Sequence, residues 1–119
     1  MRCRCLQTPK RLYRDELGSA FMASLTPAAS GNWRALFRCS ACGALWAIDE
    51  YDKYTDAVVV QVNDESDWEE SAMVGGKQLF LERRGGAASG RCIQAGCSNR
   101  PVKGFVLCVE HLWADGWRR

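Results

Sequence analysis

The chain has 119 residues, 47% of them hydrophobic and 25% charged, with a net charge of +2. That length suits one domain, or one with a small appendage, and the composition excludes a disordered chain. No apolar run approaches the ~20 residues of a membrane span, and the polar, basic start "MRCRCLQTPKR" lacks the apolar core of a secretory signal. The expected location is therefore cytoplasmic, with no membrane partner.

Taken in chain order, Thr8-Pro9 is a helix-start signal. Tyr13, Leu17, Ala20 and Phe21 recur at helical spacing, which predicts a helix over about 9–24, ended before a loop "TPAASGN". "WRALFRC" and "ALWAID" read as two strands of a hairpin, and "AVVVQV" at 57–62 as a β-branched strand. "NDESDWEESAMVGG" reads as a polar connection, "KQLFLERR" at 77–84 as a further strand, and "GGAASG" at 85–90 as a flexible linker. "LCVEHLWADGW" reads as the start of a short C-terminal helix. The expected fold class is α+β: a small zinc-stabilised domain with a β-hairpin in an antiparallel sheet, an N-terminal helix and a C-terminal zinc-tied helix. Its organisation is 1–84 as the first domain, 85–90 as linker and 91–119 as a second module.

The seven cysteines and the single histidine carry the chemistry. Cytosolic thiols stay reduced, and seven is an odd number for a disulfide framework. Seven cysteines and one histidine make two complete sets of four zinc ligands. The first set is Cys3 and Cys5 in "CRC" with Cys39 and Cys42 in "CSACG". An extended CxC turns both sulfurs to one side, and the CxxC turn aims two more at one point, with Gly43 free to close it in the left-handed region. The second set is Cys92, Cys97, Cys108 and His111, with the spacing C-x4-C, ten residues, C-x2-H. Two zinc ions per chain are expected, although a four-sulfur tetrahedron suits iron as well, and the pairs could also exchange between sites.

The first set resembles zinc-ribbon or rubredoxin-like sites, with a first knuckle shorter than the usual CxxC. The second, over about the last 25 residues, resembles the treble-clef or finger-like cages of small phage-type HNH nucleases, where the metal is structural. Those nucleases need a further histidine as general base, and here the only histidine is assigned to a cage. There is no GxSxG, HExxH or phosphate-binding glycine loop. The chain is expected not to be an enzyme.

Charge is unevenly spread. Residues 48–71 carry nine acids against one lysine, and the rest of the chain fifteen basic residues against five acids. An acidic and aromatic protein-binding face is expected from Trp46, Asp49, Glu50, Asp52, Asp64, Glu65, Asp67, Trp68, Glu69 and Glu70. "CSACGALWAIDEYDKY" resembles the CxxCGxxW stretch of some small bacterial toxin-immunity proteins, and that resemblance implies a cytosolic, non-enzymatic toxin inhibitor whose partner is a basic toxin domain. The alternative is a zinc-ribbon nucleic-acid-binding or transcription-related protein. It would use its basic ends, Arg2, Arg4, Lys10, Arg11 and Arg14 at one and Arg83, Arg84, Arg91, Arg100, Lys103, Arg118 and Arg119 at the other. A constitutive subunit interface is a third reading.

Overall fold

The computed structural model describes residues 3–49 and 57–119. Five strands, β1 (Arg11–Tyr13), β2 (Leu25–Gly31), β3 (Arg34–Cys39), β4 (Leu45–Asp49) and β5 (Val58–Val62), form one antiparallel sheet in the order β1-β5-β4-β3-β2. Among the described residues three α-helices accompany it: α1 (Ser19–Ala23), α2 (Trp68–Arg83) and α3 (Val109–Ala114). The α+β class is as the sequence suggests. The chain divides into two compact units, Met1–Gly76 and Lys77–Arg119, and the division falls inside α2.

Pairing explains the core of the first unit. Every residue of β4 is buried, so both faces of that strand are covered. The register sets Trp46 and Ile48 on the face of Val59, and that face packs with Cys5, Leu12, Phe21, Leu25 and Cys39. The opposite face carries Leu36, Ala47 and Val60. Here Val60 lies so close to Gly75 of α2 that a Cβ on the glycine would come within 2.5 Å of its Cγ1. The absence of a side chain at Gly75 is what lets this half of α2 approach the sheet.

Four expected elements differ. The helix over 9–24 is instead β1, a turn of 3-10 helix at Arg14–Glu16, and the short α1. The Thr8 hydroxyl donates backwards to the Arg4 carbonyl at 2.7 Å instead of capping a helix, and Leu12 and Tyr13 pair with the edge of β5. "TPAASG" is not a loop but most of β2, an edge strand that tolerates Pro27 because one side of an edge has no ladder to serve. The strand expected over 77–84 is the second half of α2, and the polar connection expected over "NDESDWEESAMVGG" contains its first half. Trp68, Ala72, Gly75, Gly76, Leu79 and Phe80 are its buried positions, a spacing of three and four.

The second unit packs Phe80, Val102 and Leu112 together. Residues 85–90 do not behave as a free linker. Gly86 N–H returns to Leu81 O at 2.8 Å to close α2, Ala88 N–H donates to Pro101 O, and Ala87 pairs with Val102 in an isolated bridge.

Candidate metal centres and acidic face

The first centre joins the chain start to the β3–β4 turn. Cys39 ends β3, its N–H donates to Ala44 O at 2.8 Å, and Gly43 N–H returns to Cys39 O at 2.9 Å with Gly43 at φ 80°. This knuckle requires a residue at ease in the left-handed region. Cys3 and Cys5 arrive from a turn, not an extended segment: Gln7 and Thr8 N–H both donate to Arg4 O. The ligand atoms of Cys3, Cys5, Cys39 and Cys42 all lie within 4.8 Å of one another. A tetrahedron with Zn–S of ~2.3 Å needs sulfurs about 3.8 Å apart, so the set is close to closed around one point. Cys5 and Cys39 are buried and Cys42 is exposed.

Hydrogen-bond donors surround these sulfurs. The indole N–H of Trp46, fully buried, donates to Cys5 Sγ at 3.4 Å. Burial pushes the metal-free Cys5 thiol up to about 12, against the lowering effect of that indole. Burial also acts to raise Cys39, but the backbone N–H groups of Cys42 and Ala41, together with hydrogen bonds from the Cys5 and Cys42 thiols, outweigh it and bring that thiol to about 7. N–H donors favour the charged sulfur, the form a metal requires.

The second centre is built on α3. Cys108 is its N-cap residue and His111 lies in its first turn, so Cys108 Sγ and His111 Nδ1 stand 3.1 Å apart. Cys92 Sγ is 3.4 Å from the same nitrogen, and Cys97 Sγ is 3.8 Å from Cys108 Sγ. The four ligand atoms lie within 4.8 Å of one another. The Cys92–Cys97 loop is shaped by Cys97 N–H donating to Gln94 O and Cys92 N–H to Asn99 O. The Asn99 side-chain amide reaches Cys108 Sγ at 3.8 Å. Burial raises the Cys108 thiol, yet the His111 N–H and ring and the Asn99 amide together bring it down to about 6. The adjacent Cys108 and Cys92 sulfurs raise His111. All eight metal-ligand residues named from the sequence thus converge, in the two sets expected, and each set could hold a metal ion.

The acidic face is only partly as expected. Trp46 is core and Trp68 is 8% exposed, so neither aromatic is available to a partner, and Asp49 is also buried. Glu50 and Asp52 lie outside the described residues. Asp64, Glu65, Asp67 and Glu70 are exposed and Glu69 half-buried around the start of α2. Glu65, Asp67, Glu69 and Glu70 line an open cavity of about 520 Å³ with Arg34 and Met73. Glu65 is paired with Arg38, and Glu69 accepts the Asn32 N–H at 3.3 Å in the β2–β3 turn. That turn presents Trp33, 58% exposed and at φ 59°. Residue type alone does not separate Trp33 from the buried Trp46 and Trp68. The signal was its place in "SGNWR", where Gly-Asn marks a turn and the next residue is carried to its tip.

Comparison with protein-family models, curated proteins and solved structures gives no match. No helix among the described residues is long and apolar enough to cross a membrane.

Proposed function

We propose that this chain is a non-enzymatic, cytoplasmic protein-binding module stabilised by two structural zinc ions. The observation that carries the reading is the convergence of eight cysteine and histidine ligands into two separate four-donor sets. Four protein ligands leave a zinc ion no open position for water or substrate, which is the arrangement of a structural site. Zinc is favoured at the second set by its mixed sulfur and nitrogen donors. At the first set four sulfurs accept zinc or iron, and the single closed role suits zinc.

The binding surface is the rim of the α2 start: Glu65, Asp67, Glu69 and Glu70 around the cavity, with Asp64 next to Glu65 in the chain and Trp33 displayed beside it. An exposed tryptophan supplies contact area at low entropic cost, and the carboxylates steer a basic partner. A basic toxin domain, bound 1:1 and masked as an immunity protein masks its toxin, is the specific form of this proposal.

The test uses an arginine-rich peptide as probe and isothermal calorimetry on the zinc-loaded chain. Binding should weaken at least tenfold in Asp67→Lys/Glu70→Lys and in Trp33→Gly, and stay unchanged in Glu110→Lys. Loss of binding in Trp33→Gly should come without loss of stability, since glycine relieves the left-handed backbone. No binding by the parent chain, or equal binding by all variants, would overturn the reading.

A further inference from the structure

The two units differ in charge. Among Met1–Gly76 there are eight basic residues against eleven acids, and among Lys77–Arg119 eight against three, a balance of −3 and +5. The segregation is sharper within the second unit: residues 83–109 hold four arginines, one lysine and no acid. Of the unit's three acids, Glu110 is paired with Lys77 at 2.6 Å and Glu82 accepts from Gln78 at 2.9 Å.

The fold gathers these cations on one ribbon. Residues 86–92 run antiparallel to 99–103, joined by Lys103 N–H to Gly86 O, Ala88 N–H to Pro101 O, Cys92 N–H to Asn99 O and the Ala87–Val102 bridge. Arg83, Arg84, Arg91, Arg100 and Lys103 are all exposed along it or at its base. Several are held in place. Arg84 lies over the rings of Phe80 and Phe105 at 5.5 and 5.1 Å, Arg100 Nε donates to Ala88 O at 2.9 Å, and the Lys103 stem lies across Gly85. Arg118 is different: it is buried, over the Trp113 ring, with its guanidinium on the Trp113 and Trp117 carbonyls at the end of α3. It is structural and contributes no docking group.

From this geometry we infer that the ribbon of the second unit is a docking surface for the phosphate backbone of nucleic acid. A run of like charge with no acid in it repels itself, and a polyanion relieves that repulsion. Arginine's planar fork pairs two donors with two phosphate oxygens. Four arginines in five cations favour a row of phosphodiesters over a lipid surface, which recruits lysine and arginine alike through net charge. The ribbon contacts phosphates, so it carries no base readout and binding is independent of sequence.

The experiment is fluorescence anisotropy of a labelled 20-base-pair random-sequence DNA with the zinc-loaded full chain, between 50 and 200 mM KCl. With four of the five cations engaged, Arg91 and Lys103 among them, the slope of log K against log salt is about −3.6, a loss of affinity of roughly 150-fold across that range. Removing two cations in Arg91→Gln/Lys103→Gln should halve the slope and cut the loss to roughly 12-fold, with zinc content unchanged. Asp67→Asn/Glu70→Gln, in the other unit, should leave the slope as it is. Three outcomes would overturn the inference: no salt-dependent binding, a slope indifferent to Arg91→Gln/Lys103→Gln, or binding to phosphatidylserine vesicles with none to DNA.

Discussion

Replacing Trp46 by phenylalanine is a direct probe of how the fold serves the first centre. The indole N–H is the side-chain donor from the sheet to Cys5 Sγ, at 3.4 Å, and both residues are buried. A buried hydrogen bond to a charged acceptor contributes about 1.5–3 kcal/mol. The change also weakens the edge-to-face contact with Phe21, 5.1 Å between centroids at 86°, by about 0.5–1.5 kcal/mol. The two losses are separable. Lost packing destabilises the unit whether or not metal is bound, whereas the hydrogen bond favours the thiolate and so acts on metal affinity. At ~1.4 kcal/mol per factor of ten, affinity at the first centre should fall roughly 10- to 100-fold, in the range usual for partners of metal ligands. The assay is chelator competition on cobalt-loaded protein, because four-sulfur and three-sulfur-one-nitrogen cobalt sites absorb differently and can be followed apart. Equal weakening of both centres, or an unchanged first centre, would refute the reasoning.

His111→Ala removes one ligand of the second set and should lower the metal content by one ion per chain while leaving the four-cysteine centre loaded, read by native mass spectrometry. Gly75→Ala gains helix propensity but drives a Cβ to within 2.5 Å of Val60 Cγ1, for a net loss of about 1 kcal/mol in urea denaturation. In a Val60→Ala background, where the obstructing methyls are gone, the same substitution should become stabilising. Asp64 accepts the Ser66 N–H at 2.9 Å, and the Ser66 N–H and hydroxyl hold its carboxyl below the ordinary aspartate range. A lowered folded value means the contribution is present above the unfolded pKa and is lost as pH falls through the folded one. Carbon-detected NMR titration should therefore place the Asp64 midpoint below that of an unfolded reference, and Ser66→Ala should raise it while leaving the N–H contact.

The metal ligands were the most legible part of the chain, because ligand chemistry fixes spacing locally: CxC, CxxCG, C-x4-C and C-x2-H each declare a pair before any fold is known. The hairpin of β3 and β4 and the strand β5 were legible for a related reason, dense apolar and β-branched residues beside a knuckle. What failed was set by tertiary context. β2 carries one buried apolar residue, Leu25, since an edge strand needs little more. α2 hides its pattern: Gly75 and Gly76 occupy buried positions where a sequence reading expects leucine, and Val74, 61% exposed, sits on the outer face. β1 is three residues long and exists because β5 offers it an edge. The acidic face failed in the same way. Trp46 and Trp68 lie among carboxylates in sequence but are buried, the first because both faces of β4 are covered and the second by the packing of α2.

The central claim is that eight ligands close around two metal ions, and elemental analysis of the purified chain with native mass measurement tests it most directly. The account predicts two zinc ions per chain, retained through gel filtration and released together with loss of structure by a strong chelator. One ion or none would contradict it and would return Cys3 and Cys5, or Cys108 and His111, to redox or nucleophilic chemistry; iron in place of zinc would overturn the choice of metal.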